Sequence, residues 1–129
     1  MSKTTLLFID DEPEFVDVCK KFFIMKKYRV LTASSGREGL EIASREKPDL
    51  VVCDMRMPGL DGIQTLNQLR AGDQQIKVVF LTGYGTVEQI REGLDLGISD
   101  FIGKPFDLNA LLEVIQEVLS QNPKGESNG

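Results

Sequence analysis

A doubly wound α/β domain, (βα)5 with a five-stranded parallel sheet between two layers of helices, is predicted by three features of the chain. Five apolar segments alternate with five stretches of helical periodicity, the rhythm of a parallel sheet with crossover helices. The segments at 5–9, 50–53 and 77–81 are nearly unbroken in hydrophobicity, as strands covered on both faces must be. Polar or Pro/Gly residues follow them directly, so chemistry-bearing groups collect along one edge of the sheet, the edge at which open parallel sheets bind ligands.

The first strand, 5–9, closes in Asp10-Asp11-Glu12, and Pro13 suits the first turn of a helix, where its missing N–H costs little. Phe15, Cys19, Phe22 and Phe23 then recur at helical spacing and give that helix a buried face. The second strand, 28–33, alternates more and is expected at an edge of the sheet. Ser35-Gly36-Arg37-Glu38 has the pattern of a capping box opening the second helix, whose Leu40 and Ala43 face inward and which Pro48 ends.

The third strand, 50–53, delivers Asp54 to its C-terminal tip, because Met57-Pro58-Gly59 cannot continue a strand. Asp61 caps the third helix with Gln64 in the reciprocal position, and Ile63, Leu66 and Leu69 form its apolar stripe. The fourth strand, 77–81, runs into Thr82-Gly83-Tyr84-Gly85. A fourth helix opens near Thr86 with a thin apolar face of Val87, Ile90 and Leu94, and Gly93 weakens it by about 1 kcal/mol relative to alanine, so it is expected to be the most mobile.

The fifth strand, 99–102, is mixed in character, belongs at the other edge and ends at Gly103-Lys104-Pro105. The fifth helix, capped by Asp107, carries Leu108, Leu111, Leu112, Ile115, Val118 and Leu119 at regular helical spacing. Residues 1–121 are expected to form one domain, and the tail 122–129, which lacks apolar residues, to be disordered. With the three most apolar strands central, right-handed crossovers favour the strand order 2-1-3-4-5, a flavodoxin-like arrangement whose switch point lies between strands one and three.

Composition narrows the chemistry. With 129 residues, 41% hydrophobic and 27% charged, the chain suits one soluble globular domain, and no apolar stretch approaches a membrane span. The N-terminus lacks the apolar core and cleavage site of a signal peptide, so a cytoplasmic location is expected. A net charge of −5 without a basic stripe argues against direct binding to nucleic acid. The absence of histidine removes Ser-His and Cys-His catalysis and most zinc sites, and Cys19 and Cys53 sit in apolar patterns that read as buried thiols in a reducing compartment.

Asp10, Asp11 and Asp54 then converge on the switch-point crevice. Three clustered carboxylates repel one another unless a cation offsets their charge, and an oxygen-only ligand set favours Mg2+ or a similar hard ion. Lys104, at the tip of strand five, can reach toward the same crevice, and Thr82, at the tip of strand four, offers a hydroxyl between them. These groups fit phosphoryl transfer, with Asp54 as nucleophile and a metal and a lysine stabilising the equatorial oxygens of the transferred group.

Asp10-Asp11 after strand one, Asp54 with Met57-Pro58-Gly59-Leu60-Asp61-Gly62, Thr82-Gly83, and Lys104-Pro105-Phe106 together resemble the receiver domain of two-component response regulators, over roughly residues 4–121. The run 82–88, Thr-Gly-Tyr-Gly-Thr-Val-Glu, is similar to receivers of nitrogen-regulation-type transcriptional activators. The resemblance implies that Asp54 accepts a phosphoryl group from a sensor histidine kinase or a histidine phosphotransfer protein. It implies Mg2+ held directly by Asp11 and Asp54, through water by Asp10, and by the backbone carbonyl of Arg56.

It further implies that Thr82 and Lys104 contact the bound phosphoryl group, that Phe101 is the aromatic switch, and that the Lys104-Pro105 bond is cis. Arg56 and Tyr84 occupy the two positions that tune phosphoryl lifetime, and their bulk is expected to slow self-hydrolysis. The expected output is a downstream protein or effector domain on the face of the fourth helix, fifth strand and fifth helix, with a phosphorylation-dependent homodimer as a further partner. Such a chain is a signalling receiver and not a general enzyme, catalysing only its own phosphotransfer and autodephosphorylation.

Three other functions compete. A stand-alone aspartyl-phosphate phosphatase or phosphotransferase would need a substrate pocket, and the chain has no inserted cap domain to build one. A flavodoxin-like electron carrier would need a hydroxyl- and glycine-rich loop after strand one, where this chain places Asp10, Asp11 and Glu12. A degenerate receiver serving as scaffold would have no reason to retain every chemical position.

Overall fold

The computed structural model describes residues 3–55, 59–73, 75–82, 100–103 and 107–121, with Thr82, Asp100 and Phe101 described through their backbone alone. The expected helix near Thr86 to Leu94, the expected tail and the residues Arg56, Tyr84, Lys104 and Pro105 lie outside the described residues. Among the described residues there are five strands: β1 (Thr5–Ile9), β2 (Arg29–Ala33), β3 (Leu50–Asp54), β4 (Lys77–Thr82) and β5 (Asp100–Gly103). They form one sheet in the order β2-β1-β3-β4-β5 with every neighbouring pair parallel, as the apolar ranking of the segments predicts.

The unbroken apolar runs follow from a sheet covered on both faces. Successive side chains of a strand point to opposite sides. Leu7, Ile9, Val51, Cys53, Val78 and Phe80 therefore share a core with Ile63, Leu66 and Leu69 of helix α3 (Gly62–Gly72), against which Leu40 and Ala43 of α2 (Gly36–Glu46) pack. Leu6, Phe8, Leu50, Val52, Val79 and Leu81 share the opposite core with Cys19 and Phe23 of α1 (Pro13–Met25) and with Leu111, Ile115 and Val118 of the C-terminal helix, Leu108–Ser120. The ring of Phe23 lies 5.4 Å from that of Phe8 and 5.0 Å from that of Phe22, centroid to centroid, and fills this second layer. Both cysteines are buried, and neither forms a disulfide.

The strand and helix ends differ from expectation in small ways with local causes. Strand β2 begins at Arg29 because the Tyr28 amide donates to Phe23 O at 3.1 Å and so closes the end of α1. The capping box at α3 is complete: Asp61 accepts from Gln64 N at 2.9 Å and Gln64 Oε1 accepts from Asp61 N at 2.9 Å. At α2 only half of the expected box forms. Ser35 Oγ accepts from Glu38 N at 3.1 Å, but the Glu38 carboxylate reaches one residue further back, to Ser34 N at 2.7 Å and Ser34 Oγ at 3.0 Å. Among the described residues, no helix is long and apolar enough to cross a membrane.

Candidate functional site

Asp54 is the last residue of β3, paired in register with Leu81 of β4, and Asp10 directly follows β1. Both are held by hydrogen bonds that continue the sheet beyond the strands. Asp10 N donates to Ala33 O at 3.1 Å, and Met55 N donates to Leu81 O at 3.0 Å. The two side chains are buried, at 2% and 8% exposure, whereas Asp11 is exposed, so the cluster has two fixed carboxylates and one open to solvent. An oxygen from each of Asp10, Asp11 and Asp54 lies within 4.8 Å of the others.

One Asp10 oxygen, Oδ1, accepts from Glu12 N at 3.0 Å, which orients that carboxylate against the start of α1. Cys53 faces the core, its Sγ 3.4 Å from Asp54 O. Burial pushes the Cys53 thiol far above its usual range, and the carboxylates of Asp54, Asp10 and Asp61 add to that, so it is an inert neighbour and not a second nucleophile. The donor set is therefore all oxygen, the set that suits a small hard dication.

The three aspartates singled out from the sequence are thus brought together. Thr82 is the last residue of β4, one position beyond Leu81, and pairs in register with Gly103, after which the chain continues into Lys104. That places the backbone of Thr82 at the same edge of the sheet as Asp54. Phe101 pairs with Phe80 in β5, and its side chain lies outside the described atoms, as do Arg56, Tyr84 and Lys104 entirely.

Gly62 belongs to the motif that follows Asp54, but the sequence alone assigns it no role of its own. It opens α3, its amide donates to Met55 O at 3.0 Å, and a Cβ there would lie 2.7 Å from Met55 Cα and 2.9 Å from Asp54 O. The lack of a side chain lets the helix start press directly on the Asp54 backbone. In the sequence it stands at the end of the motif running from Asp54 to Gly62, where its place after Asp61 reads equally well as part of an ordinary helix start.

Comparison with known proteins agrees with this geometry. Residues 6–116 match the family of response regulator receiver domains. The chain is 32% identical over 119 residues to sporulation initiation phosphotransferase F of Bacillus subtilis (strain 168), covering 92% of this chain and 96% of that one. It is 34% identical to the transcriptional regulatory protein GlrR of Escherichia coli (strain K12), covering 91% of this chain and 26% of the relative, so it spans about a quarter of that protein's length. A crystal structure of a CheY-like receiver domain protein from Methanospirillum hungatei JF-1 superposes with a TM-score of 0.91 at 28% identity, covering 98% of this chain and all of the other. Carrying the receiver fold in its 2-1-3-4-5 sheet and the receiver sequence over most of its length, the chain belongs to the response regulator receiver domain family of two-component signalling systems.

Proposed function

We propose that Asp54 is the phosphoryl acceptor of this receiver and that the acidic crevice holds Mg2+. The observation that carries this reading is the placement of the buried Asp54 carboxylate at the end of β3 among the carboxylates of Asp10 and Asp11. Receiver domains bind Mg2+ at an acidic pocket, and three aspartate oxygens within 4.8 Å fit a small hard cation. Asp11 and Asp54 would hold it directly, Asp10 through water and Arg56 by its backbone carbonyl. When bound, it neutralises the carboxylate cluster and the oxygens of the incoming phosphoryl group.

The donor is the phosphohistidine of a sensor histidine kinase or of a histidine phosphotransfer protein. An Asp54 carboxylate oxygen attacks phosphorus, the P–N bond breaks, and the imidazole leaves and takes its proton from solvent. Thr82 donates its hydroxyl to the transferred group and Lys104 pairs with it, while Phe101 turns inward as the end of β4 moves. Hydrolysis is the attack of water on phosphorus, which returns the carboxylate and inorganic phosphate, and the bulk of Arg56 and Tyr84 slows it. This is chemistry performed on the chain itself, in keeping with a signalling protein.

The output is a shift between two states of the face formed by the segment before β5, β5 and the C-terminal helix, which engages a downstream protein, an effector domain or a second phosphorylated copy. A phosphotransfer role finds support in the Bacillus relative, whose name is that of a phosphotransferase. The test is incubation with acetyl phosphate and Mg2+ followed by intact mass. Wild type gains one phosphoryl group, and neither Asp54→Ala nor wild type in a chelator does. Modification of Asp54→Ala to the same extent would refute the assignment.

A further inference from the structure

Helix α2 packs against residues that flank the acidic crevice on both sides, and it does so through two buried glycines on one face. Gly39 lies against Ile9, the residue before Asp10, where a Cβ would press on Ile9 Cδ1 and come within 2.8 Å of Ile9 Cγ1. Gly36 lies against the turn that leads from Asp54 into α3. A Cβ there would press on Thr65 Oγ1 and stand 3.0 Å from Leu60 Cβ and 3.1 Å from Leu60 O.

These two contacts differ in how far they can yield. Gly39 meets Ile9 through side-chain atoms alone, and of these only Cδ1 is the far end of the fully buried, β-branched chain. Leu60 meets Gly36 with a carbonyl and a Cβ, which move only if the turn moves. Thr65 is fully buried, and its hydroxyl donates to Asp61 O at 2.8 Å, so rotating it away breaks that bond. From Asp61 the contacts run directly to the acceptor: Asp61 caps α3, and Gly62 N donates to Met55 O at 3.0 Å, next to Asp54.

The start of α2 is also tied to the other carboxylate. Glu38 holds Ser34, the residue after Ala33, and Ala33 O accepts the Asp10 amide at 3.1 Å. This helix end is thus joined by short chains of contacts to the backbone on both sides of the crevice.

We propose that Gly36 is a positioning residue for Asp54: its missing side chain seats the Leu60–Asp61 turn against α2 and so fixes the backbone from which the acceptor carboxylate projects. The proposal rests on the reading of Asp54 as acceptor. Gly36 itself touches neither a phosphoryl donor nor a metal ligand, and acts through Leu60, Thr65 and Gly62.

The test compares wild type, Gly36→Ala, Thr65→Ala and the double variant for initial rate of phosphorylation by acetyl phosphate at saturating Mg2+, with rates expressed per folded molecule. Gly36→Ala is expected to lower the rate about tenfold, a fraction of the roughly 100-fold that a full 1 Å misplacement of a reacting group can cost. The double variant recovers part of the loss, because removing Thr65 Oγ1 relieves one of the contacts while Leu60 still resists the methyl. Amide resonances of Met55 and Gly62 shift in Gly36→Ala and move back in the double variant, a signature that a change in stability alone would not produce.

Should Gly36→Ala fail to fold, the double variant is compared with Thr65→Ala, and it must be the slower of the two. Equal rates in that pair, or a folded Gly36→Ala with the wild-type rate, overturn the proposal while leaving the acceptor assignment standing. A wild type that takes up no phosphoryl group overturns both.

Discussion

The ammonium of Lys77, at the start of β4, donates to the carbonyl of Gln121 at 2.7 Å and so closes the C-terminal helix from a neighbouring strand. The same Nζ lies 3.0 Å from Val118 O and 3.5 Å from Leu119 O. The last turn of this helix carries no basic residue of its own, so the cation that its carbonyl end favours is supplied from β4.

Lys77→Met keeps the apolar stem and removes the donor. Loss of the hydrogen bonds and of the charge at a helix C-terminus is expected to cost about 1 kcal/mol in urea unfolding. Amide exchange should quicken at Gln121 and in the last turn, while Asp54 phosphorylation proceeds at the wild-type rate. An unchanged unfolding midpoint would show that water replaces the ammonium without loss.

Binding of Mg2+ at the aspartate cluster should stabilise the fold, because the unfolded chain scatters Asp10, Asp11 and Asp54. At a concentration a hundredfold above the dissociation constant the gain is about 2.7 kcal/mol. Thermal melts in Mg2+ and in chelator measure it directly. Asp11→Asn, which alters the exposed member and leaves the two buried carboxylates, is expected to shrink the Mg2+-dependent shift without lowering the midpoint in chelator. A full-sized shift in that variant would remove Asp11 from the ligand set.

Gly62→Ala tests the close approach of α3 to the Asp54 backbone. Its Cβ would lie 2.7 Å from Met55 Cα and 2.9 Å from Asp54 O, both backbone atoms that a rotamer change cannot clear. Overpacking of this kind costs about 1–3 kcal/mol. A calorimetric or denaturant measurement giving no loss would mean that the turn between Met55 and Gly62 has slack that the contact distances conceal.

The architecture was legible where burial imposes a pattern. Strands β1 and β3 are covered on both faces, so nearly every residue from Leu6 to Ile9 and from Leu50 to Cys53 had to be apolar, and the order of the sheet followed from that ranking. The acidic cluster was legible for a related reason, since carboxylates directly after such strands have no role in the core. Contacts between distant elements away from the strand tips were not legible. Gly36 against Leu60 and Lys77 against Gln121 each join single residues that belong to no periodic pattern, and their meaning appears only once the helices are placed. The Glu38 carboxylate illustrates the same limit at short range: two serines were available, and backbone geometry at the end of β2 selected Ser34 over Ser35.

Arg29 Nη2 lies 2.7 Å from Glu46 Oε1, and Arg45 Nε lies 3.4 Å from Glu46 Oε2. The hydrogen bond from Arg29 holds the Glu46 carboxyl below its ordinary value of 4.5, outweighing a smaller opposing effect of desolvation, with the charges of Arg29 and Arg45 adding to the lowering. A carboxyl whose value is lower in the folded state than in the unfolded state stabilises the fold at all pH above the unfolded value. That contribution is lost as pH falls through the folded value, where both states are protonated. The pair is solvent-exposed, so its contribution is small and screened by salt. In low salt, Arg29→Met is expected to unfold at a slightly lower urea concentration than wild type at about pH 7, and the gap should close as pH is lowered through the depressed Glu46 value. A gap of the same size above and below that value would assign the loss to the packing of the Arg29 stem and not to its charge.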